Sequence, residues 1–314
     1  MRGSKVAIIG AGGVGATIAY AALLNGVARE ISLYDIDAAK VQAEVLDLNH
    51  GLRFTPTARV LGSDHLDVCV DADVIVVTAG AKQRPGETRL DLAGRNTEIF
   101  RELIPALVER APEAVLLVVT NPVDVLTYVA LQLSGFPSTR VIGSGTVLDT
   151  SRLHYVLAER CGVAVSNVHA IIAGEHGDSE FALWSSAAIG NVPLDRWVTP
   201  TGNHLTGPEL DDIAERVKHA AYDIIRGKGA TTYAIGLAVT SIIRAILNDE
   251  HRIMPVSTLL DGAYGIADVC LSMPVVVGSG GVVRNMDVPL TEDEHHRLTA
   301  SADTIRDTIR SVGF

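Results

Sequence analysis

The chain has 314 residues, of which 26 are basic and 37 acidic, and its formal net charge is −11. This acidic balance argues against a nucleic-acid partner, and it makes any arginines gathered in one pocket informative. The apolar runs are too short or too interrupted to span a bilayer, and the first residues read as a strand rather than a signal peptide, so no membrane partner is expected. Three scattered cysteines, Cys69, Cys161 and Cys270, form no CxxC pair. They predict neither a disulfide framework nor a metal cluster, and they favour a reducing cytoplasm.

The first part of the chain alternates strands and helices. In chain order, a strand in KVAIIG precedes a helix over 16–28, and further strands follow in EISLYDID, ADVIVVTAG, AVLLVVTNP and RVIGSG. Helices over 91–110 and 124–133 separate the later strands. Continuous apolar runs suit strands that are buried on both faces of a parallel sheet. The alternation predicts an α/β fold with an open, doubly wound parallel sheet of Rossmann type.

The second part of the chain mixes its elements differently. A helix over 149–161 precedes strand-like pieces in VHAIIAGEHGD and SEFALWSSAAIG, and another strand-like piece follows in DVCLSMPVVVG. Long helices are predicted over 208–226, 230–248 and 291–312. This pattern predicts an α+β domain over residues 143–314, after a Rossmann domain over residues 1–142.

A glycine-rich loop directly follows the first strand. The segment GAGGVG fits G-x-G-x-x-G at Gly10, Gly12 and Gly15, and Asp35 lies 20 residues further on, at the end of the second strand. In this setting the pattern is typical of a dinucleotide site, where the helix N-terminus meets the pyrophosphate. The Asp35 carboxylate would bind ribose hydroxyls and repel a 2′-phosphate, so NAD is predicted rather than NADP. The alternative is a tight turn without a ligand.

A second notable turn, GEHGDS over 174–179, places His176 just after an apolar run. Glycines allow sharp turns and the close approach of a ligand. The simplest interpretation of a lone histidine here is a solvated turn residue. An imidazole can also give and take a proton near neutral pH, which suits acid–base chemistry.

Along nearly its whole length the chain resembles the lactate/malate dehydrogenase family. The segments that carry this resemblance are the glycine loop, VVTAGAKQRPGETRLDL at 76–92, VTNPVD at 119–124, GSGTVLDTSRL at 143–153, GEHGDS and GKGATTYAIG at 227–236. The resemblance implies NAD as cofactor, a small 2-keto acid as substrate and a homotetrameric assembly. The residues it places at the cofactor are Gly10, Gly12, Val14, Gly15, Asp35, Gly80, Ala81, Val119, Asn121 and Ser144.

The resemblance also implies catalytic roles. His176 would be the proton donor and acceptor, and Asp149 would hold its ring and favour the imidazolium. Arg152 would bind the substrate carboxylate, because a guanidinium pairs with a carboxylate through two hydrogen bonds. Since Asp149 and Arg152 are three residues apart on a predicted helix, they share one face.

The segment around PGETR resembles the family's lid. There Arg89 would polarise the keto oxygen as the lid closes. Asn121 would bond the substrate oxygen near the nicotinamide, and Thr231 would line the pocket. One lid position separates the two branches of the family, and Gln83 occupies it here. Its neutral amide suits pyruvate. If the register of the lid differed by one residue, the adjacent Arg84 would occupy this position and would suit oxaloacetate. The expected reaction is reversible hydride transfer between NADH and pyruvate, giving (S)-lactate and NAD⁺, with malate dehydrogenase as the alternative.

A sugar-phosphate effector is a further expectation of the resemblance. Bacterial members that respond to fructose 1,6-bisphosphate bind its phosphates with a histidine and an arginine. The histidine position is His169 here, but the arginine position is His154, which is only partly charged at neutral pH. Activation is therefore expected to be weak, pH-dependent or absent.

Two other classes of protein fit the sequence less well. A metal hydrolase would need a ligand motif such as HExxH, and none is formed by His169, Glu175 and His176. An NAD-sensing module without activity would need the glycine loop but not the combination of Asp149, Arg152 and His176.

Overall fold

The structure is a computed structural model that describes residues 3–81 and 89–314. Arg89 is included as the first backbone residue of a helix, and its side chain lies outside the described part. Within these ranges, no helix combines the length and the apolar character needed to cross a membrane.

Strands and helices alternate through the first part and mix in the second. The strands are β1 (Lys5–Ile9), β2 (Glu30–Tyr34), β3 (Arg59–Ser63), β4 (Val74–Val77), β5 (Val115–Val118), β6 (Val141–Gly143), β7 (Val168–His169), β8 (Ile172–Ala173), β9 (Phe181–Ala182), β10 (Ala188–Ile189), β11 (Val192–Pro193), β12 (Arg252–Met254), β13 (Ser257–Asp261), β14 (Ala267–Ser272), β15 (Val275–Gly278) and β16 (Gly281–Asn285). The helices are α1 (Gly13–Leu24), α2 (Ala38–His50), α3 (Arg89–Arg110), α4 (Val123–Ser134), α5 (Val147–Cys161), α6 (Gly207–Lys228), α7 (Tyr233–Leu247) and α8 (Glu292–Ser311).

The largest sheet has eight strands in the order β14-β13-β6-β5-β4-β1-β2-β3. Its last six are parallel neighbours, and β13 and β14 extend it in the antiparallel sense. The order β3-β2-β1-β4-β5-β6 reverses direction at β1, which is the arrangement of a doubly wound dinucleotide fold. The fold class predicted from the sequence is confirmed.

Apart from Lys5 at the start of β1, the central strands β1, β4 and β5 are apolar, because helices cover both faces of the sheet. In β1, Val6 and Ile8 belong to one core cluster, and Ala7 and Ile9 belong to the other. The first cluster includes residues of α1 and α7, and the second includes residues of α3, α4 and α8. A smaller cluster lies in the second part of the chain, between α5, α6 and short strands.

Several elements differ from the sequence-based expectation. The first helix begins at Gly13 and ends at Leu24, not at 16 and 28, so the glycine loop itself opens the helix. The expected strand in SEFALWSSAAIG is two short strands on either side of a single 3₁₀ turn, Trp184–Ser186. The edge strand β3 and the strands β12 and β13, which lie in different sheets, were not predicted. The register of β13 on β6, through Ser257 and Gly143, depends on contacts distant in sequence.

The fold brings both parts of the chain to one edge of the large sheet. Since the carboxyl ends of parallel strands meet there, the segments after β1, β2, β4, β5 and β6 lie together. Gly174, which follows β8, exchanges two backbone hydrogen bonds with Ser272 at the end of β14, at 2.9 and 3.0 Å. The amide of Ile172 in β8 donates to Oγ1 of Thr150 in α5 at 3.0 Å. These bonds fix the turn after β8 against the sheet and against α5.

Candidate active site

A cavity of about 980 Å³ opens at the carboxyl edge of the sheet. It is lined by all ten residues expected to bind the cofactor, of which Asn121 was also expected at the substrate, and by three further residues expected near the substrate, Arg152, His176 and Thr231. Asp149 lies behind this lining and is 1% exposed. Gln83 and Arg84, together with the side chain of Arg89, lie outside the described residues.

Gly10, Gly12 and Gly15 of the loop meet different steric requirements. Gly10 has φ of +104°, and a Cβ at Gly15 would lie 1.9 Å from the carbonyl oxygen of Gly10. A Cβ at Gly12 would meet only the Lys40 Nζ, at 4.0 Å, among described atoms. Protein packing thus requires glycine at positions 10 and 15, whereas glycine at 12 leaves space open to the cavity. Gly12 is also the N-cap of α1 and provides no side-chain cap, so the first N–H groups of the helix are directed at that space.

Asp35 is held rigidly at the end of β2. Its carboxylate accepts hydrogen bonds from the backbone N–H of Ala11 at 2.7 Å and of Asp37 at 3.1 Å, and from Lys40 Nζ at 3.4 Å. Burial raises the pKa of Asp35, but the bonds from Asp37 and Ala11 and the charge of Lys40 outweigh it, so the pKa is lowered overall. An ionised carboxylate beside an uncapped helix N-terminus matches a diphosphate-linked diribose, and the residues present therefore fit NAD.

Asp149, Arg152 and His176 form one hydrogen-bonded group. The two oxygens of Asp149 are used separately: Oδ1 accepts from Arg152 at 2.5 Å, and Oδ2 lies 2.6 Å from Nδ1 of His176. Asp149 and Arg152 project from the same face of α5, as their spacing of three predicts. Because Nδ1 of His176 is bonded to Asp149, its proton is held there, and Nε2 is the ring nitrogen on the opposite side of the imidazole from Asp149.

The group keeps the histidine positively charged. Burial lowers the pKa of His176, but the Asp149 carboxylate, with smaller contributions from Glu180 and Asp124, outweighs it and raises the pKa to about 9. Burial likewise raises the pKa of Asp149, and the charges of His176 and Arg152 overcome it and leave the pKa lowered. At neutral pH the histidine is an imidazolium and Asp149 is a carboxylate.

Polar residues in distant helices hold the histidine turn. The His176 backbone N–H donates to Oδ2 of Asp124 in α4 at 2.7 Å, and the Glu175 N–H donates to Oγ of Ser301 in α8 at 2.7 Å. Asp124 is 1% exposed, and burial raises its pKa to about 6 despite the bond from the His176 N–H. Sequence reasoning missed Asp124 and Ser301, although Asp124 falls inside the quoted VTNPVD segment.

Asn96 in α3 links two loops of the cavity. Its Oδ1 accepts from the Ala81 N–H at 2.7 Å, and its Nδ2 donates to the carbonyl of Asn121 at 2.8 Å. The side chain is fully buried, so these bonds join the segments after β4 and β5 rather than contacting solvent. No local signal distinguishes this residue from an ordinary polar residue of an amphipathic helix.

The two histidines of the expected effector site have different surroundings. His169 in β7 is exposed. His154 in α5 is half-buried, and its Nε2 lies 2.7 Å from the carbonyl oxygen of Ala170. Burial lowers the pKa of His154, the charge of His169 lowers it further, and the bond to Ala170 does not offset them. His154 is therefore neutral over most of the physiological pH range.

Comparison with known proteins gives consistent matches over the full length. Residues 4–143 match the family model described as lactate/malate dehydrogenase, NAD binding domain, and residues 146–313 match lactate/malate dehydrogenase, alpha/beta C-terminal domain. The L-lactate dehydrogenase of Bifidobacterium animalis subsp. lactis is 50% identical, covering 100% of this chain and 98% of the relative. That of Synechococcus sp. is 51% identical, covering 99% of both. The crystal structure of MGS-M5, a lactate dehydrogenase from a Medee basin deep-sea metagenome, superimposes with a TM-score of 0.95 at 41% identity, covering 100% of both chains.

The steric difference between the loop glycines predicts separate effects of two substitutions. Gly12→Ala should fold with unchanged thermal stability but bind NADH at least about tenfold more weakly, because its Cβ occupies the space left for phosphate. Gly15→Ala should lower the melting temperature, because its Cβ clashes with a backbone oxygen. Gly94→Ala in α3, where a Cβ meets nothing within 4 Å, serves as the matched control. NADH fluorescence titration and thermal unfolding measure both effects, and unchanged NADH binding by Gly12→Ala would contradict the assignment.

Proposed function

The chain belongs to the lactate/malate dehydrogenase family, and we propose that it acts as an L-lactate dehydrogenase through the cluster of Asp149, Arg152 and His176. It is an NAD-dependent oxidoreductase that catalyses pyruvate + NADH + H⁺ ⇌ (S)-lactate + NAD⁺. The observation that carries the proposed mechanism is that the cluster and the glycine loop meet at one cavity.

His176 supplies the proton of this reaction. NADH, when bound, supplies the hydride for the carbonyl carbon of pyruvate. The imidazolium donates the Nε2 proton to the carbonyl oxygen, because its Nδ1 proton is held by Asp149. In the reverse direction, neutral His176 accepts the hydroxyl proton of lactate. A pKa of about 9 keeps the acid form available for pyruvate across neutral pH.

Arg152 binds the substrate carboxylate. A guanidinium has five N–H donors, and the bond to Asp149 occupies one side of it. Among the described residues nothing else accepts from Arg152, and its other donors can pair with the substrate carboxylate in the cavity that Arg152 lines. Asp149 thereby orients both the proton donor and the carboxylate-binding group.

The remaining substrate contacts are proposed from the family resemblance. Asn121 and Thr231 line the cavity, which supports contact with the substrate and the nicotinamide. Arg89 would polarise the keto oxygen, and Gln83 would face the methyl end of pyruvate. Oxaloacetate would place a second carboxylate opposite a neutral amide, which is unfavourable in a closed site.

We further infer two domains, over 1–142 and 143–314, assembled as a homo-oligomer, with a tetramer as the specific form. Helices α1 and α7 pack together and leave large apolar side chains exposed, which supports association with other copies. The side chains are Tyr20, Leu24, Tyr233 and Leu237.

The three cysteines are buried free thiols, which supports a reducing compartment such as the cytoplasm.

The lactate assignment predicts the effect of one lid substitution. Wild type should oxidise NADH with pyruvate far faster than with oxaloacetate, and Gln83→Arg should shift the ratio of kcat/KM toward oxaloacetate by about a hundredfold or more, because it pairs the second carboxylate. Arg84→Gln is the matched control and should keep the pyruvate preference. If Gln83→Arg keeps the parental preference, Gln83 does not face the substrate. If wild type prefers oxaloacetate, the activity is that of a malate dehydrogenase.

The surroundings of His154 predict a pH-dependent response to fructose 1,6-bisphosphate. A histidine whose pKa is lowered is charged only in acid, so phosphate binding should be present in acid and lost as the pH rises. Any activation measured at about pH 5.5 should disappear by about pH 8. His154→Arg should retain activation at the higher pH, because arginine stays charged. Activation of equal strength in wild type across this range would contradict the role of the histidines.

A further inference from the structure

Glu180 is a half-buried acidic side chain at the site that the proposed mechanism does not use. It lies four residues after His176, immediately before β9. One atom from each of the side chains of Asp149, His176 and Glu180 lies within 4.8 Å of the other two. The Oε1 of Glu180 is buried and has no hydrogen-bond partner among the described residues. A buried oxygen left unsatisfied is costly, so its protonation state matters to the site.

Glu180 lies among charged groups, of which the cluster of Asp149, Arg152 and His176 carries one surplus positive charge. Asp149 and Arg152 face Glu180 from α5, His176 faces it from its own segment, and Lys218 faces it from α6. Because the single charge of Asp149 is shared between Arg152 and the imidazolium, these three groups carry a net charge of about +1 in the acid form. An ionised Glu180 would cancel that charge. The substrate carboxylate requires the same charge, so the two anions compete.

The environment keeps Glu180 protonated at neutral pH. Burial and then the charge of Asp149 raise the pKa of Glu180 to about 8, and the opposing charges of His176, Arg152 and Lys218 do not offset them. The carboxyl is therefore neutral below this pH and becomes an anion above it. Because Glu180 and His176 interact, their protons leave as a coupled pair.

We propose that Glu180 is a positioning residue for the substrate: its neutral form leaves Arg152 and His176 to the substrate carboxylate, and its ionised form competes for them. This inference rests on the proposed lactate dehydrogenase function. Pyruvate binding is therefore coupled to proton uptake, because enzyme with ionised Glu180 must take up one proton to bind pyruvate well. A second proton is needed when His176 is neutral.

Two pH dependences follow for the two directions of the reaction. With pyruvate, the competent enzyme has both His176 and Glu180 protonated. At high pH, where both protons are lost, kcat/KM should therefore fall by about a hundredfold for each pH unit. With lactate, His176 must be neutral while Glu180 stays protonated, so kcat/KM should rise and then fall. The alkaline loss should lie mainly in KM, because the competition affects substrate binding.

The experiment measures these profiles for wild type, Glu180→Gln and Glu180→Asp. In Glu180→Gln, kcat/KM for pyruvate should fall at high pH by only about tenfold for each pH unit. The fall of kcat/KM for lactate at high pH should disappear. Glu180→Asp retains an ionisable group and should retain both features. The matched control is Glu113→Gln, which removes a carboxylate that is 94% exposed, just before β5 at the opposite edge of the sheet. It should behave as wild type.

The outcomes separate this inference from the proposed function. Absence of NADH oxidation with pyruvate by wild type would overturn both. An active wild type whose alkaline limb has the slope of a single proton would overturn the role of Glu180 alone, as would a Glu180→Gln profile identical to that of wild type. The wild-type slope and Glu180→Asp decide the question even if Glu180→Gln does not fold.

Discussion

Asp149 is the residue on which the chemistry of this site depends. It is buried, and burial alone would favour its neutral form. Its two oxygens instead bond Arg152 and His176, so one carboxylate fixes the group that binds the substrate anion and the group that carries the proton. Opposite charges at such short distances in a poorly solvated place stabilise one another strongly. The carboxylate, the guanidinium and the imidazolium are therefore ionised together, and the site carries surplus positive charge in an acidic protein.

The rest of the fold brings this group to the cofactor loop and keeps it there. The parallel sheet gathers the glycine loop, Asp35 and Asn121 at its carboxyl edge, which is a property of its strand order. The second part of the chain is attached to that sheet by β13 and β14, and the bridge between Gly174 and Ser272 anchors the histidine turn to it. The precision needed for proton transfer thus comes from hydrogen bonds that are distant in sequence.

Local features of the sequence predict the parts that depend on local physics. The apolar runs predict the central strands, the loop pattern predicts the uncapped helix N-terminus, and the spacing of Asp149 and Arg152 predicts a shared helix face. The meeting of α5 with the turn at His176 is a tertiary contact, and only the family resemblance indicated it. Asn96, Asp124 and Ser301 are single polar residues in helices whose roles appear only when distant segments pack. For the same reason, the addition of β13 and β14 to the largest sheet could not be predicted from periodicity.

The most direct test of this account measures the pKa of His176 itself in wild type and in Asp149→Asn. Histidine labelled with ¹³C at Cε1 would be titrated by NMR, and the spectrum of His176→Gln would assign the signal. The pKa of His176 should be about 9 in wild type and much lower in Asp149→Asn, because burial is then opposed only by the smaller contributions of Glu180 and Asp124. A pKa in Asp149→Asn that stays close to the wild-type value would contradict the claim that Asp149 holds the proton on His176.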